Sequence, residues 1–252
     1  MAKRTWLKRA ALAAGIVLTL TAQGYPWKDE NYESQNISYD GHWEMARIRF
    51  TPANGGGRGW RRDIKWDHDY PRSDTHFPRL LSAVSTIRPQ MQSNIFTLDN
   101  PELMKFPIAY LCEPGFWTMD DKELAGLRTY LTKGGFIIFD DFAGEYWYNF
   151  DMQIHRAFPQ ARFIELDASH PIFNSFFHIA SLDFRHPYFG VQAHFFGLFE
   201  DNDPNKRMMA IINYNNDVSE YWEWSDEDFA PKALTNEAYK LGVNYVMYAM
   251  TH

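Results

Sequence analysis

The chain has 252 residues, and its 20 Phe, 14 Tyr and 9 Trp exclude a mainly disordered protein, because that many aromatic rings need a folded interior. The formal net charge of −7 argues against nucleic acid as a partner, since an acidic surface repels phosphate. The single cysteine, Cys112, excludes an internal disulfide and a zinc site built from several thiolates.

The segment 1–24 has the pattern of an export signal. Basic side chains precede an apolar stretch at 10–20, and Ala22 and Gly24 supply the small residues of a signal-peptidase site. The apolar stretch is short for a hydrocarbon core of about 30 Å, which favours cleavage over a retained anchor. We expect a periplasmic or secreted protein, with the membrane as a partner only through an uncleaved signal segment.

A polar segment at 25–44 follows the signal, and we expect a single α/β domain over 45–252. The domain opens at 45–50, where apolar residues mixed with arginines are typical of a strand near a sheet edge. A Gly-rich loop at 54–60 comes next. This part of the chain therefore predicts one strand near a sheet edge, followed by a loop.

Helices and strands then alternate. An apolar stripe over 77–87 predicts a helix that begins near residues 73–74. A second helix has a capping box at Thr118 and Asp121 and ends at Gly134. Short apolar runs predict strands at Ile108–Cys112, 136–139, 162–166, 191–200 and 207–212, with further helices at 151–158 and from Asn236. We expect a mainly parallel sheet with helices on both faces, extended by an antiparallel hairpin late in the chain.

Several motifs occur in an order that resembles one bacterial family. The most specific is Leu131-x-x-Gly134-Gly135-Phe136-x-x-x-Asp140-Asp141, and the others are Tyr70-Pro71, 77–87, His170-Pro171-Ile172, 212–217 and 241–251. From about Arg47 to Thr251 the chain resembles the family called domain of unknown function 4159. The resemblance implies a fold like that of the class I glutamine amidotransferases, in bacterial envelope proteins whose activity is not established.

Cys112 does not fit the nucleophile of a glutamine amidotransferase. In those enzymes the cysteine lies on a sharp elbow between a strand and a helix, whereas Cys112 lies inside an apolar run without flanking glycines. We expect a buried, inert thiol here. Whether the protein is an enzyme stays open, but glutamine hydrolysis is not expected.

Three predicted strands end in polar side chains, namely Glu113, the pair Asp140 and Asp141, and Asn213. Ligands of α/β proteins bind at the carboxyl ends of strands, so we expect these residues to line one cleft. Asp140 and Asp141 should split, one facing the cleft and one a helix N-terminus, as general base, metal ligand or loop cap. His170, which the resemblance singles out, is their candidate acid–base partner or fellow metal ligand, or else closes a turn. The spacing of the other histidines matches no metal motif.

Aromatic residues supply candidate ligand contacts. Arg58 and Trp60, in the Gly-rich loop, could bind an anion and stack on a sugar or an aromatic ring. Trp147 follows the aspartate pair and could wall the same cleft. The run Tyr221-Trp222-Glu223-Trp224 is rich enough in aromatic residues for a lid or a partner surface.

Three functions remain open from the sequence. The preferred one is an exported, non-catalytic domain that binds a small polar or saccharide ligand or an envelope protein. The second is a hydrolase that acts on an envelope carbohydrate or peptide through Asp140, Asp141 and His170. The third is a structural subunit of an envelope complex. No cofactor is predicted, although a divalent metal at Asp140 and Asp141 is compatible with the second function.

Overall fold

A computed structural model of the chain describes residues 35–53 and 63–252. The predicted signal at 1–24, residues 25–34 of the polar segment, and the loop residues Arg58 and Trp60 lie outside the described residues. Within the described ranges, no helix has the length and apolar character needed to cross a bilayer.

The described residues form nine strands and five α-helices. The strands are β1 (Ala46–Ile48), β2 (Thr51–Pro52), β3 (Asn94–Phe96), β4 (Ile108–Cys112), β5 (Trp117–Thr118), β6 (Phe136–Phe142), β7 (Phe163–Glu165), β8 (His194–Phe199) and β9 (Met208–Tyr214). The helices are α1 (Ser73–Val84), α2 (Asp121–Thr132), α3 (Trp147–Ala157), α4 (Val218–Glu223) and α5 (Lys232–Thr251). Strands and α-helices alternate over β5-α2-β6-α3-β7, as the sequence pattern predicts for this part of the chain.

Seven strands form one sheet in the order β3-β1-β4-β6-β9-β8-β7, and β2 pairs with β5 in a separate antiparallel ribbon. The neighbours from β3 to β9 are all parallel, whereas β8 runs antiparallel to both β9 and β7. This confirms a mainly parallel α/β sheet with a late antiparallel extension. The carboxyl ends of β1, β4, β6 and β9 therefore meet along one edge.

Helices cover both faces of the sheet. Ile138 of β6 shares one buried cluster with Phe77 of α1 and Tyr245 of α5. The next residue of the strand, Phe139, faces the other way, and its ring centroid lies 5.0 Å from that of Phe150 on α3. Alternate residues of the same strand thus fill two separate core layers.

β1 lies near one edge of the sheet, as predicted, because only β3 lies outside it. Arg47, in the middle of β1, is fully buried rather than solvated. Its guanidinium binds the Asp74 carboxylate and donates hydrogen bonds of 3.1 Å to the carbonyls of Trp66 and His68. The short strand β3, which the sequence pattern does not reveal, is the edge strand itself.

The capping box of α2 also differs from the prediction. Asp120 accepts hydrogen bonds from the backbone N–H groups of Lys122 and Glu123, and the Glu123 carboxylate accepts one from the Asp120 N–H. Thr118 belongs to β5, and Asp121 is already the first residue of the helix. The box therefore begins two residues later than Thr118, with the usual glutamate at its third helical position.

The predicted aromatic lid is largely part of the core. The short helix α4, which periodicity does not reveal, contains Tyr221 and Trp222. Trp222 is 1% exposed and stacks on Phe77, with ring centroids 4.4 Å apart. Only Trp224, just after the helix, keeps a half-buried position. A surface role for Trp222 is therefore wrong.

Candidate functional site

Polar side chains meet at the carboxyl edge of the parallel strands. Glu113 follows β4, Asp140 and Asp141 lie near the end of β6, and Asn213 lies near the end of β9. The Asn213 amide donates a 3.0 Å hydrogen bond to Asp140, and the Glu113 N–H donates one of 3.0 Å to the Asp140 carbonyl. The structure thus brings together the four strand-end residues that the sequence predicts.

Two further segments add carboxylates to this edge. The loop at 63–70 brings in one aspartate, and the start of α4 adds an aspartate and a glutamate. The resulting group, here called the acidic cluster, has no member more than 9% exposed and consists of Asp69, Glu113, Asp140, Asp141, Asp217 and Glu220.

Asp140 is the structural centre of the acidic cluster. It is fully buried and accepts hydrogen bonds from the Tyr110 hydroxyl, the Asn213 amide and the backbone N–H groups of Val218 and Ser219. Burial raises the pKa of Asp140 to about 7. This carboxylate therefore attaches the start of α4 to the sheet, which matches the predicted side chain facing a helix N-terminus.

A chain of hydroxyl groups joins Asp140 to Asp69. The Tyr110 hydroxyl lies 2.9 Å from Asp140 Oδ2 and 2.5 Å from Ser219 Oγ, which in turn contacts Asp69 Oδ2. The two hydroxyl groups therefore form a continuous hydrogen-bonded path between the carboxylates of Asp69 and Asp140.

Asp141 turns away from the regular strand. Its backbone is left-handed, with φ of 58°, where the register between β6 and β9 shifts. Its carboxylate lies 3.4 Å from the Cys112 sulfur and 3.5 Å from His68 Nδ1. Burial raises the pKa of Asp141 to about 6, although the His68 hydrogen bond opposes that rise. Asp141 is thus the member of the pair that faces His68 and the loop at 63–70.

His68, Glu113 and Asp141 form the most open part of the site, here called the His68 triad. His68 Nδ1 lies 3.1 Å from Glu113 Oε1, and one possible ligand atom from each residue lies within 4.8 Å of the other two. Lys65 Nζ also approaches Glu113 Oε1, at 3.2 Å. Burial disfavours the charged imidazole, but hydrogen bonds to Asp141 and Glu113 raise the pKa of His68 to about 11. The triad is therefore an ion-paired group, and its histidine comes from the loop at 63–70.

Carboxylates outnumber the cations that contact them. Against the six acidic residues of the cluster, His68 and Lys65 form the ion pairs found there among the described residues. Burial raises the pKa of Glu220 to about 8 and the pKa of Asp217 well above its ordinary value. Protons therefore neutralise part of the negative charge, and a bound cation could neutralise more of it.

His170 lies away from the aspartate pair. Its ring accepts a hydrogen bond from the Ile172 N–H and packs against Phe199 and Tyr248. Phe199 pairs with Met208 at the start of β9, which is the opposite edge of the sheet from the acidic cluster. His170 therefore closes a turn, which was the second of the two expectations for it. The position beside Asp141 that we expected for His170 is occupied by His68.

Two predicted ligand contacts are also committed to packing. Trp147 packs against Phe142 and Phe150 in the layer of α3, on the other face of the sheet from Ile138. Asn213 is fully buried, and its oxygen accepts a hydrogen bond from Tyr245 in addition to the contact with Asp140. Neither Trp147 nor Asn213 belongs to the His68 triad. Of the site residues that the sequence predicts, Glu113 and Asp141 do.

Histidine spacing could not reveal His68, because its two partners come from other segments of the chain. The useful signal is the local run Asp67-His68-Asp69 between Trp66 and Tyr70, in an irregular loop. Such a concentration of acidic and imidazole side chains between aromatic residues favours a site over a solvated turn. Asp217 and Glu220 carry no comparable signal, because they become part of the site only when α4 packs on β6.

Comparisons with known proteins give a family for this chain. A search of the curated proteins found no match. The sequence pattern of one family, described as a domain of unknown function, matches residues 45–250. The match spans well over half of the chain and confirms the resemblance carried by the motifs around Asp140 and His170. The chain therefore belongs to the DUF4159 family.

Proposed function

We propose that this protein is an exported domain that binds a divalent metal ion of the zinc or manganese class at the His68 triad. One observation carries the proposal, namely the convergence of an imidazole nitrogen and two carboxylate oxygens, from three separate segments, within 4.8 Å of one another. Mixed nitrogen and oxygen ligands suit these ions better than magnesium or calcium, which prefer oxygen alone.

The charge of the site supports a cation. A histidine binds metal only as neutral imidazole, so the ion would displace the proton that His68 shares with Glu113 and Asp141. The positive charge of the metal ion would then neutralise Glu113 and Asp141 in place of this proton. Lys65 would leave Glu113 Oε1 and keep its second partner, Asp63, whose carboxylate lies 2.8 Å away.

A hydrolase that uses this metal is the second candidate, and the hydroxyl chain favours it. A metal ion lowers the pKa of a bound water, and the proton then needs an acceptor. Asp69, whose carboxylate lies within 4.8 Å of an Asp141 oxygen, is placed to take it, and a relay through Ser219 and Tyr110 would then deliver one proton to the Asp140 carboxylate. An envelope carbohydrate or peptide remains the proposed substrate, with His68 in the role first expected of His170.

We also propose that the fold is like that of the class I glutamine amidotransferases. Glu113 is a left-handed residue, φ 50°, directly after β4 and before the helical turn Pro114–Phe116, which resembles an elbow between a strand and a helix. The elbow carries a carboxylate and not a nucleophile. Burial raises the pKa of the neighbouring Cys112 thiol, which keeps it protonated and inert. Export is proposed from the signal pattern at 1–24.

Metal analysis of the mature, untagged chain tests the proposal. Plasma mass spectrometry after dialysis against equal zinc and manganese should find one ion per chain. His68→Gln and Glu113→Gln should both abolish stoichiometric binding. His194→Gln is the matched control, because His194 forms a 2.7 Å contact with Glu165 on the exposed surface. No metal in the unmodified chain, or equal loss in the control, would overturn the proposal.

A further inference from the structure

A pocket lies beside the end of α4, outside the acidic cluster. Its volume is about 450 Å³, and it is lined by Tyr188, Trp224, Glu227, Asp228 and Phe229. The volume falls in the range of small-molecule sites, roughly 300–1,000 Å³. The lining consists of three aromatic rings and two carboxylates, and the proposed metal site does not use any of these side chains.

The aromatic walls of the pocket are exposed. Tyr188 is 61% and Phe229 is 38% exposed, and their ring centroids lie 5.8 Å apart with an angle of 57° between the planes. The two rings therefore form adjoining walls rather than a parallel stack. Phe229 also contacts Tyr221, which is buried at 6% exposure and supports it from behind. Rings fixed at an angle offer more than one π face to a ligand.

The polar part of the pocket is anionic. Glu227 already pairs with Arg72 at 2.9 Å, whereas Asp228 has no ion-pair partner within the described ranges. The Arg72 guanidinium also lies 4.5 Å from the centroid of the Trp224 ring, so a cation of the chain itself already uses this indole. Aromatic faces together with an unpaired carboxylate are the features that attract a weakly hydrated cation.

We propose that this pocket binds an organic ammonium group, with the rings of Tyr188, Trp224 and Phe229 around the cation and Asp228 as its counter-charge. A neutral sugar is the less suitable ligand. The Tyr188 hydroxyl is already engaged by Glu220, and the remaining polar lining is carboxylate. The ligand class is therefore a quaternary or primary amine presented on a small molecule or a basic side chain.

The position of Tyr188 places such a ligand beside the acidic cluster. The hydroxyl of Tyr188 donates a hydrogen bond to Glu220, while its ring faces the pocket. An ammonium ligand would therefore bind beside the acidic cluster, without needing the proposed metal for its own recognition. The two proposals can be tested separately for that reason.

Calorimetric titration with choline and with its neutral isostere, 3,3-dimethylbutan-1-ol, tests the proposal on the mature chain. Choline should bind saturably, and the isostere should bind about 3- to 30-fold more weakly, the range expected for cation–π contacts. Trp224→Leu and Asp228→Asn should each weaken choline binding by a similar factor. Tyr148→Leu should leave it unchanged, because Tyr148 is an aromatic residue that is 77% exposed on α3.

The result should be the same in the presence of a chelator, which removes the metal and leaves the pocket intact. Persistence of choline binding under these conditions supports a site that is independent of the His68 triad. Absence of saturable choline binding, equal affinity for the neutral isostere, or tighter binding of N-acetylglucosamine would each overturn the ammonium site. Loss of binding in the Tyr148 variant would do the same.

Discussion

His68 Nδ1 lies 3.1 Å from Glu113 Oε1, and a buried arginine holds the backbone that makes this contact possible. Arg47 donates to the carbonyls of Trp66 and His68 from its fully buried position on β1. Its charge is balanced by Asp74 at the start of α1. The core of the sheet therefore positions the loop of the candidate site through one ion-paired side chain.

Replacing Arg47 should affect both stability and metal binding. Arg47→Met leaves the Asp74 carboxylate buried without its partner, which should lower the free energy of unfolding by about 3–5 kcal/mol. Urea denaturation measures this loss. The double variant Arg47→Met/Asp74→Leu should recover much of the stability but not the metal affinity, because the carbonyls of Trp66 and His68 still lack their donor. Full recovery of both properties would contradict the positioning role.

Substitutions of Asp140 and Asp141 should differ in their effects on stability and on metal binding. Asp140→Asn introduces an amide among four donors, so the free energy of unfolding should fall by about 1–3 kcal/mol while metal still binds. Asp141→Asn removes a ligand from the triad, so metal binding should be lost with a smaller change in stability. Denaturation and metal analysis of the same two preparations would show the separation. Reversed effects would exchange the roles assigned here.

The metal-free protein should lose stability as the pH rises from about 5 to about 9. Burial raises the pKa of Glu220 to about 8 and of Asp140 to about 7, so the folded state holds these protons more tightly than the unfolded state does. Their stabilisation is full below the ordinary carboxyl pKa and is lost as pH passes through the raised values. His68 acts in the same direction, because its pKa is raised to about 11 and its contribution declines above the ordinary value of 6.5.

Calorimetric melting temperatures in chelator measure this slope. Glu220→Gln should flatten it between about pH 5 and pH 8, because the neutral amide has no proton to lose. Glu165→Gln, at an exposed carboxylate, should leave it unchanged. A melting temperature that rises over this interval would contradict the assigned pKa directions.

Metal binding should release a proton near neutral pH. His68 carries the proton at that pH, because hydrogen bonds to Asp141 and Glu113 raise its pKa to about 11, and the metal needs the neutral ring. Zinc titrations in buffers of different ionisation enthalpy count the released protons. The affinity should also rise with pH, opposite in sign to the stability of the metal-free chain. Binding without proton release would argue against His68 as a ligand.

Local patterns predicted much of the fold. β4 has the predicted bounds, Ile108–Cys112, because a short apolar run between polar residues fits a buried strand. Gly134 follows the end of α2 with φ of 110°, a conformation that glycine adopts without strain. The same reasoning placed β1 near an edge of the sheet, where it lies, but it did not reveal that Arg47 of that strand is buried and neutralised by Asp74.

The candidate site likewise contains residues that the sequence predicted and residues that it did not. Glu113 and the aspartate pair could be found because each directly follows or ends an apolar strand. His68 could not be assigned, since its contacts with Glu113 and Asp141 depend on how a loop after β1 folds over two other strand ends. His170 shows the converse, because a motif shared with a family did not bring that side chain to the aspartates.

The order of amino acids by itself determined the alternation of strands and helices, the mainly parallel sheet with its antiparallel extension, and the polar strand ends from Glu113 to Asn213. These features follow from hydrophobic periods and turn residues, which act between neighbours in the chain. Only the tertiary structure decided that Arg47 is buried, that Asp140 holds α4, and that His68 faces Asp141. Those relationships arise from charges and hydrogen bonds between distant segments, whose energies depend on a spatial proximity that no local pattern encodes.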